Sequence, residues 1–179
     1  MVKTILSQVK EYKRVSILTP VCMLGEVIME MIIPLLMASI IDKGVSAGDI
    51  HHIKVTGLIM LLMAAISLTL GILSARFGAQ ASAGLAKNLR QAMFEKVQTF
   101  SFSNLDKFST SSLITRLTTD VTNVQNAYMM ILRMCTRAPA TMLIAMVLSF
   151  AINGRLASVY LVAVVVLGLL LFLIMSKAM

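Results

Sequence analysis

The chain has 179 residues, of which 58% are hydrophobic and 13% charged, with a formal net charge of +8. Its mean hydropathy is +0.89. A soluble domain of this length could not hide so much apolar surface. The positive charge does not point to nucleic acid, because the lysines and arginines cluster at the ends of apolar runs, as in a chain threaded through a bilayer.

Residues 2–13 place Ile5, Leu6, Val9 and Tyr12 on one helical face, with Lys3, Lys10 and Lys13 largely elsewhere. That pattern predicts an amphipathic helix over residues 1–13 lying in the membrane interface. Four apolar stretches follow: Val15–Ile41, Val55–Ala75, a third ending at Ile152, and Leu156–Met175. Each is long enough, or nearly so, to cross a hydrocarbon core needing about 20 residues. The third is strictly apolar only from Ala138, so it spans only if its helix also takes in Tyr128–Arg137. Span one carries Glu26 and Glu30 four residues apart, hence on one face, between Pro20 and Pro34, which are expected to bend it. The run Asp42–Asp49 reads as a turn-rich outer loop. In span two Ser67, Gly71, Ala75, Ala79 and Ala83 recur at four-residue spacing, a register that lets another helix approach closely.

The segment from about 76 to 137 is polar enough to leave the membrane and patterned enough to stay helical. Leu85, Leu89, Met93, Val97 and Phe100 continue an apolar stripe beyond span two. The pattern breaks between Phe100 and Ser112, where Ser109–Ser112 offers N-cap hydroxyls. Leu113, Leu117, Val121, Val124, Tyr128 and Ile131 then mark a second arm. Two arms of about 25 residues would reach roughly 35–40 Å past the membrane end of span two. The fold predicted is all-α: a polytopic helical bundle whose second and third spans extend into a cytoplasmic hairpin. Thirteen of the 16 basic residues fall on the side of the termini and hairpin, which places both termini in the cytoplasm. Cys22 and Cys135 form no CxxC pair and read as small apolar packers. The adjacent His51 and His52 would diverge on a helix, so no metal site is expected there.

Thr110, Leu113, Thr115, Arg116, Leu117, Asp120 and Val124 stand where ATP-binding-cassette exporters carry Thr-Gly-x-Leu-x-Ser-Arg-Leu-x-x-Asp-x-x-x-Val in the first cytoplasmic loop of their six-helix transmembrane domain. The chain departs from that pattern at Ser111, usually Gly, and at Thr115, commonly Ser. Ile41–Val45 resembles the family's end of the first span, and Asn153 with Leu156-Ala157 its turn between spans three and four. The resemblance covers nearly the whole chain. The run Phe108–Arg137 is especially similar to bacterial multidrug-type half-transporters, many of which pair as heterodimers.

The resemblance implies that residues 14–179 are spans one to four of an exporter's transmembrane domain, in the plasma membrane. It implies that Asn104, Leu105, Asp106, Lys107 and Phe108 form a coupling helix seated in a nucleotide-binding domain. Arg116 and Asp120, at i, i+4, would pair and stiffen the hairpin. No glycine is followed by Lys and no Gly-Gly occurs, so the chain has neither a phosphate-binding loop nor the family's ATP signature. No catalytic residue, cofactor or metal is therefore expected in this chain; ATP and Mg would belong to a nucleotide-binding domain outside it. Expected partners are that domain, a second half-transporter (identical or not) and membrane lipid, with no nucleic acid. Glu26 and Glu30 admit two readings: lining a cavity that attracts cationic or amphipathic cargo, or pairing with other helices or simply sitting near the outer end of the span. Arg133 and Arg137, four apart near the inner end of span three, are further cavity candidates or snorkel to phosphates. The competing functional class is a stand-alone four-span protein with an assembly or regulatory role.

Overall fold

The computed structural model describes residues 2–99 and 110–178. Its elements are α1 (Val2–Ser7), a 3₁₀ turn (Lys10–Tyr12), α2 (Lys13–Ser39), α3 (Ile50–Gln98), α4 (Thr110–Thr115), α5 (Val121–Ile152) and α6 (Gly154–Ala178). π-Helical turns at Ile40–Val45 and Arg116–Asp120 follow α2 and α4. No strand occurs among the described residues. Four helical stretches, Lys10–Val45, Ile50–Gln98, Ser111–Ile152 and Ala157–Ser176, are long and apolar enough to cross a membrane. The helix through Tyr128–Arg137 is continuous, as the third span requires. At 49 residues, α3 is about 73 Å long against a hydrocarbon core of about 30 Å, so it extends well past the bilayer.

The chain divides into two compact units, residues 1–137 and 138–179. In the first, α2 runs antiparallel to α3 from end to end. The turn between α2 and α3 closes at Gly44, which is buried under Ile53 so closely that a Cβ there would run into that side chain. The connection between α2 and α3 is shorter than the sequence predicts, since helical geometry persists to Val45. Asp49 caps α3, its Oδ1 accepting from the His52 N–H at 3.0 Å. Midway, Ser74 and Gly78 of α3 are buried, and the Ser74 hydroxyl donates to the Thr19 carbonyl at 3.2 Å.

The small-residue face therefore differs from the predicted one. Four-residue steps precess about 40° each on a helix of 3.6 residues per turn. Ala79 and Ala83 have rotated out to exposed positions, and the seam passes instead through Ser74, Gly78, Ala81, Ser82 and Leu85.

The N-terminal segment is not one helix. It breaks at Lys10, whose φ is +38°, and packs along α3. Tyr12 lies on Gly84, where any Cβ would collide with its ring, and the Asn88 amide donates to the Gln8 carbonyl at 2.9 Å. Val9, Ala81, Leu85 and Tyr128 form the core of this end, with Ile5, Val15, Val124 and Leu132 packed around it. On the second arm the predicted stripe holds through Tyr128, but Ile131 is exposed and Leu132 takes its place. Phe100 lies outside the described residues. Arg90 ties the arms of the hairpin, donating to the Leu117 carbonyl and to the Thr122 hydroxyl, each at 3.3 Å.

The second unit contains the end of α5 and all of α6. Asn153 caps α6 by accepting from the Arg155 N–H at 3.0 Å. Val162, Leu167, Leu170 and Ile174 of α6 are exposed, as suits a helix surrounded by lipid.

Candidate functional site

The polar centre of the first unit is built by three helices. Along α2, Glu26 and Glu30 are one turn apart, and Glu26 reaches α3 because residue 71 is glycine. A Cβ at Gly71 would stand 3.2 Å from the Glu26 carboxyl carbon and Oε1. α5 brings Arg133 and Arg137 to the same level. Arg137 donates from Nη1 to Glu26 Oε1 at 3.2 Å and from Nη2 to Glu30 Oε2 at 2.8 Å. One guanidinium thus spans both carboxylates, and α5 is pinned to α2 by charge-assisted bonds.

The two glutamates differ in exposure: the Glu26 side chain keeps 16% of its surface and Glu30 46%. The second carboxylate oxygen of Glu26 is buried with no hydrogen-bond partner among the described residues. Arg133 is placed differently from Arg137. Its stem lies over Gly78, with Cδ 3.7 Å from where a Cβ at Gly78 would stand, its Nε is buried without a partner, and no ion pair or hydrogen bond engages it among the described residues.

Two cavities meet at Arg133. One, about 500 Å³, lies along the α2–α3 groove and is lined by Glu26, Glu30, Ser67 and Gly71 as well as Arg133. The other, about 350 Å³, is walled by Met23, Met129, Met130 and Met134, with Arg133 and Arg137 among its lining.

The spacing of Glu26 with Glu30 and of Arg133 with Arg137 was legible as two i, i+4 pairs. Their convergence was not, because it depends on the packing of α5 against α2. Arg137 does not turn its guanidinium away to phosphates but holds both glutamates. Arg116 and Asp120 are not paired with each other, and the helix is π-wound over those residues. Asn104, Leu105, Asp106, Lys107 and Phe108 lie outside the described residues. His52 shares hydrogen bonds through Nε2 with Ser39 at 3.1 Å and Thr56 at 3.4 Å. No group of three or more potential metal ligands occurs among the described residues. Thr19, Ser74, Gly84 and Arg90 escaped the sequence reading: a hydroxyl or a glycine inside an apolar run gives no sign of which neighbour it meets.

The described residues thus form an all-α chain with four membrane-length helices and a charged cluster between three of its helices, the architecture of a helical membrane bundle. The family described as the ABC transporter transmembrane region matches residues 16–179, and the chain belongs to it. Among similar proteins, an uncharacterized ABC transporter ATP-binding protein of Bacillus subtilis, YfiB, is 38% identical over 96% of this chain and 30% of its own length. An uncharacterized ABC transporter ATP-binding protein of Mycobacterium tuberculosis is 27% identical over 94% of this chain and 29% of its own. The ATP-dependent lipid A-core flippase of Pseudoalteromonas translucida is 23% identical over 98% of this chain and 30% of its own. The chain spans about 30% of the length of these relatives.

Proposed function

We propose that the chain is the front part of the transmembrane domain of an ATP-driven exporter for amphipathic cargo, with Glu26, Glu30, Arg133 and Arg137 lining the pathway. The observation that carries this reading is the hairpin. Its arms continue without interruption from membrane helices α3 and α5 and are cross-tied by Arg90, so a push at the tip reaches the charged cluster through rigid helix. On this reading Asn104–Phe108 dock on a nucleotide-binding domain, and a second half-transporter, identical or not, completes the cavity. The membrane is the plasma membrane, with both termini on its cytoplasmic side. ATP and Mg belong to the nucleotide-binding domain, since nothing in this chain suits a triphosphate: no Gly-Lys-Ser or Gly-Lys-Thr loop is present.

The test is made on the intact transporter in proteoliposomes. ATP-dependent accumulation of a labelled amphiphile is expected, and Phe108→Ala with Lys107→Ala should abolish it while ATP binding persists. Absence of ATP-driven movement of any amphiphile by the unaltered protein would refute the exporter reading and favour a role in assembly.

A further inference from the structure

We propose that Arg133 is the anchoring group of a binding site for an amphiphile with an anionic headgroup, phosphate or carboxylate, whose apolar tail enters the methionine-walled cavity. This rests on the pathway reading above and narrows its substrate class. The two glutamates would by themselves favour cations, but the structure spends both on Arg137. Two carboxylates against two guanidiniums leave the cluster neutral, and the guanidinium whose donors stay unengaged is that of Arg133. A guanidinium carries five N–H donors, and none from Arg133 is engaged among the described residues, with Nε shut off from solvent. Such a cation within a membrane bundle is costly unless an acceptor completes it. A tetrahedral or planar anion offers the acceptors a guanidinium fits best.

The surroundings supply the rest. Arg133 lines both cavities, so a headgroup bound to it has apolar space beside it. The methionine cavity of about 350 Å³ falls within the roughly 300–1,000 Å³ usual for small-molecule sites. Unbranched thioether side chains adapt to tails of different length. Arg137, one turn along α5 and lining the same cavity, is held by its two carboxylate partners.

The experiment is calorimetric titration of the intact transporter, held in phosphatidylcholine nanodiscs, with three ligands sharing one chain: dodecyl phosphate, dodecyltrimethylammonium and dodecyl maltoside. The unaltered protein is expected to bind the phosphate about tenfold tighter than the ammonium, the effect of one charge-assisted contact. Arg133→Gln should erase that preference, and Arg133→Lys should restore part of it. Including phosphatidylglycerol separates the sources of the anion: competition identifies a membrane lipid headgroup, and its absence a non-lipid amphiphile. Equal or tighter binding of the ammonium by the unaltered protein overturns the proposal, even if the variants fail to fold. So does unchanged phosphate affinity in a folded Arg133→Gln protein. ATP-driven uptake of any of the three ligands would leave the exporter reading standing when the anion preference fails.

Discussion

The shared guanidinium of Arg137 makes a quantitative test of the site. By distance alone, the contact to Glu30 at 2.8 Å should exceed that to Glu26 at 3.2 Å. That difference changes a Coulomb energy by only about a seventh, whereas effective dielectric varies several-fold between surface and interior. Burial should therefore decide. Glu26 keeps 16% of its side-chain surface, so its bond is worth about 1.5–3 kcal/mol, the range for hydrogen bonds to charged groups out of water. Glu30 keeps 46%, and its bond falls in the range of about 0.2–1 kcal/mol for exposed pairs. Two double-mutant cycles measure this, Arg137→Gln with Glu26→Gln and Arg137→Gln with Glu30→Gln, each followed by unfolding in mixed micelles. The coupling to Glu26 should be the larger, by about 1.5-fold or more. A larger coupling to Glu30, or none above about 0.5 kcal/mol for Glu26, would refute the assignment of Glu26 as the buried partner.

Gly84→Ala is expected to drive Tyr12 off α3, at a cost of about 1–3 kcal/mol for an overpacked contact. Proteolysis of the N-terminal segment should accelerate with it, and an unchanged cleavage rate would contradict the packing. Ser74→Ala removes the buried hydroxyl bonded to Thr19 and should cost about 1 kcal/mol, while Ser74→Leu should cost more by forcing α2 from α3. Thermal melts rank the two, and tolerance of leucine would place the seam elsewhere. Arg90→Ala should raise amide exchange around Leu117–Thr122 by untying the hairpin arms, and protection equal to that of the unaltered protein would show the tie to be idle. Asp49→Ala should lower stability by about 1 kcal/mol through loss of the α3 cap, whereas Asp49→Asn should lose little.

Much of this protein follows from sequence because periodicity and hydropathy are local. Apolar runs of spanning length, the polar hairpin between the second and third, and two i, i+4 charge pairs all appear in the order of residues. The all-α membrane fold follows from them, whereas the family was legible in the motif running from Thr110 to Val124. The tertiary structure decided which local signals meet. The four-residue repeat from Ser67 to Ala83 named a close-packing face but lost it by precession, and only the placement of α2 shows the seam turning through Ser74 and Gly78. Nothing local distinguishes Arg133 from Arg137, which share a type, a helix and a face. The packing of α5 against α2 gives both carboxylates to Arg137 and leaves Arg133 between two cavities, because a hydrogen bond is won by the side chain whose Cα lies within reach of the acceptor.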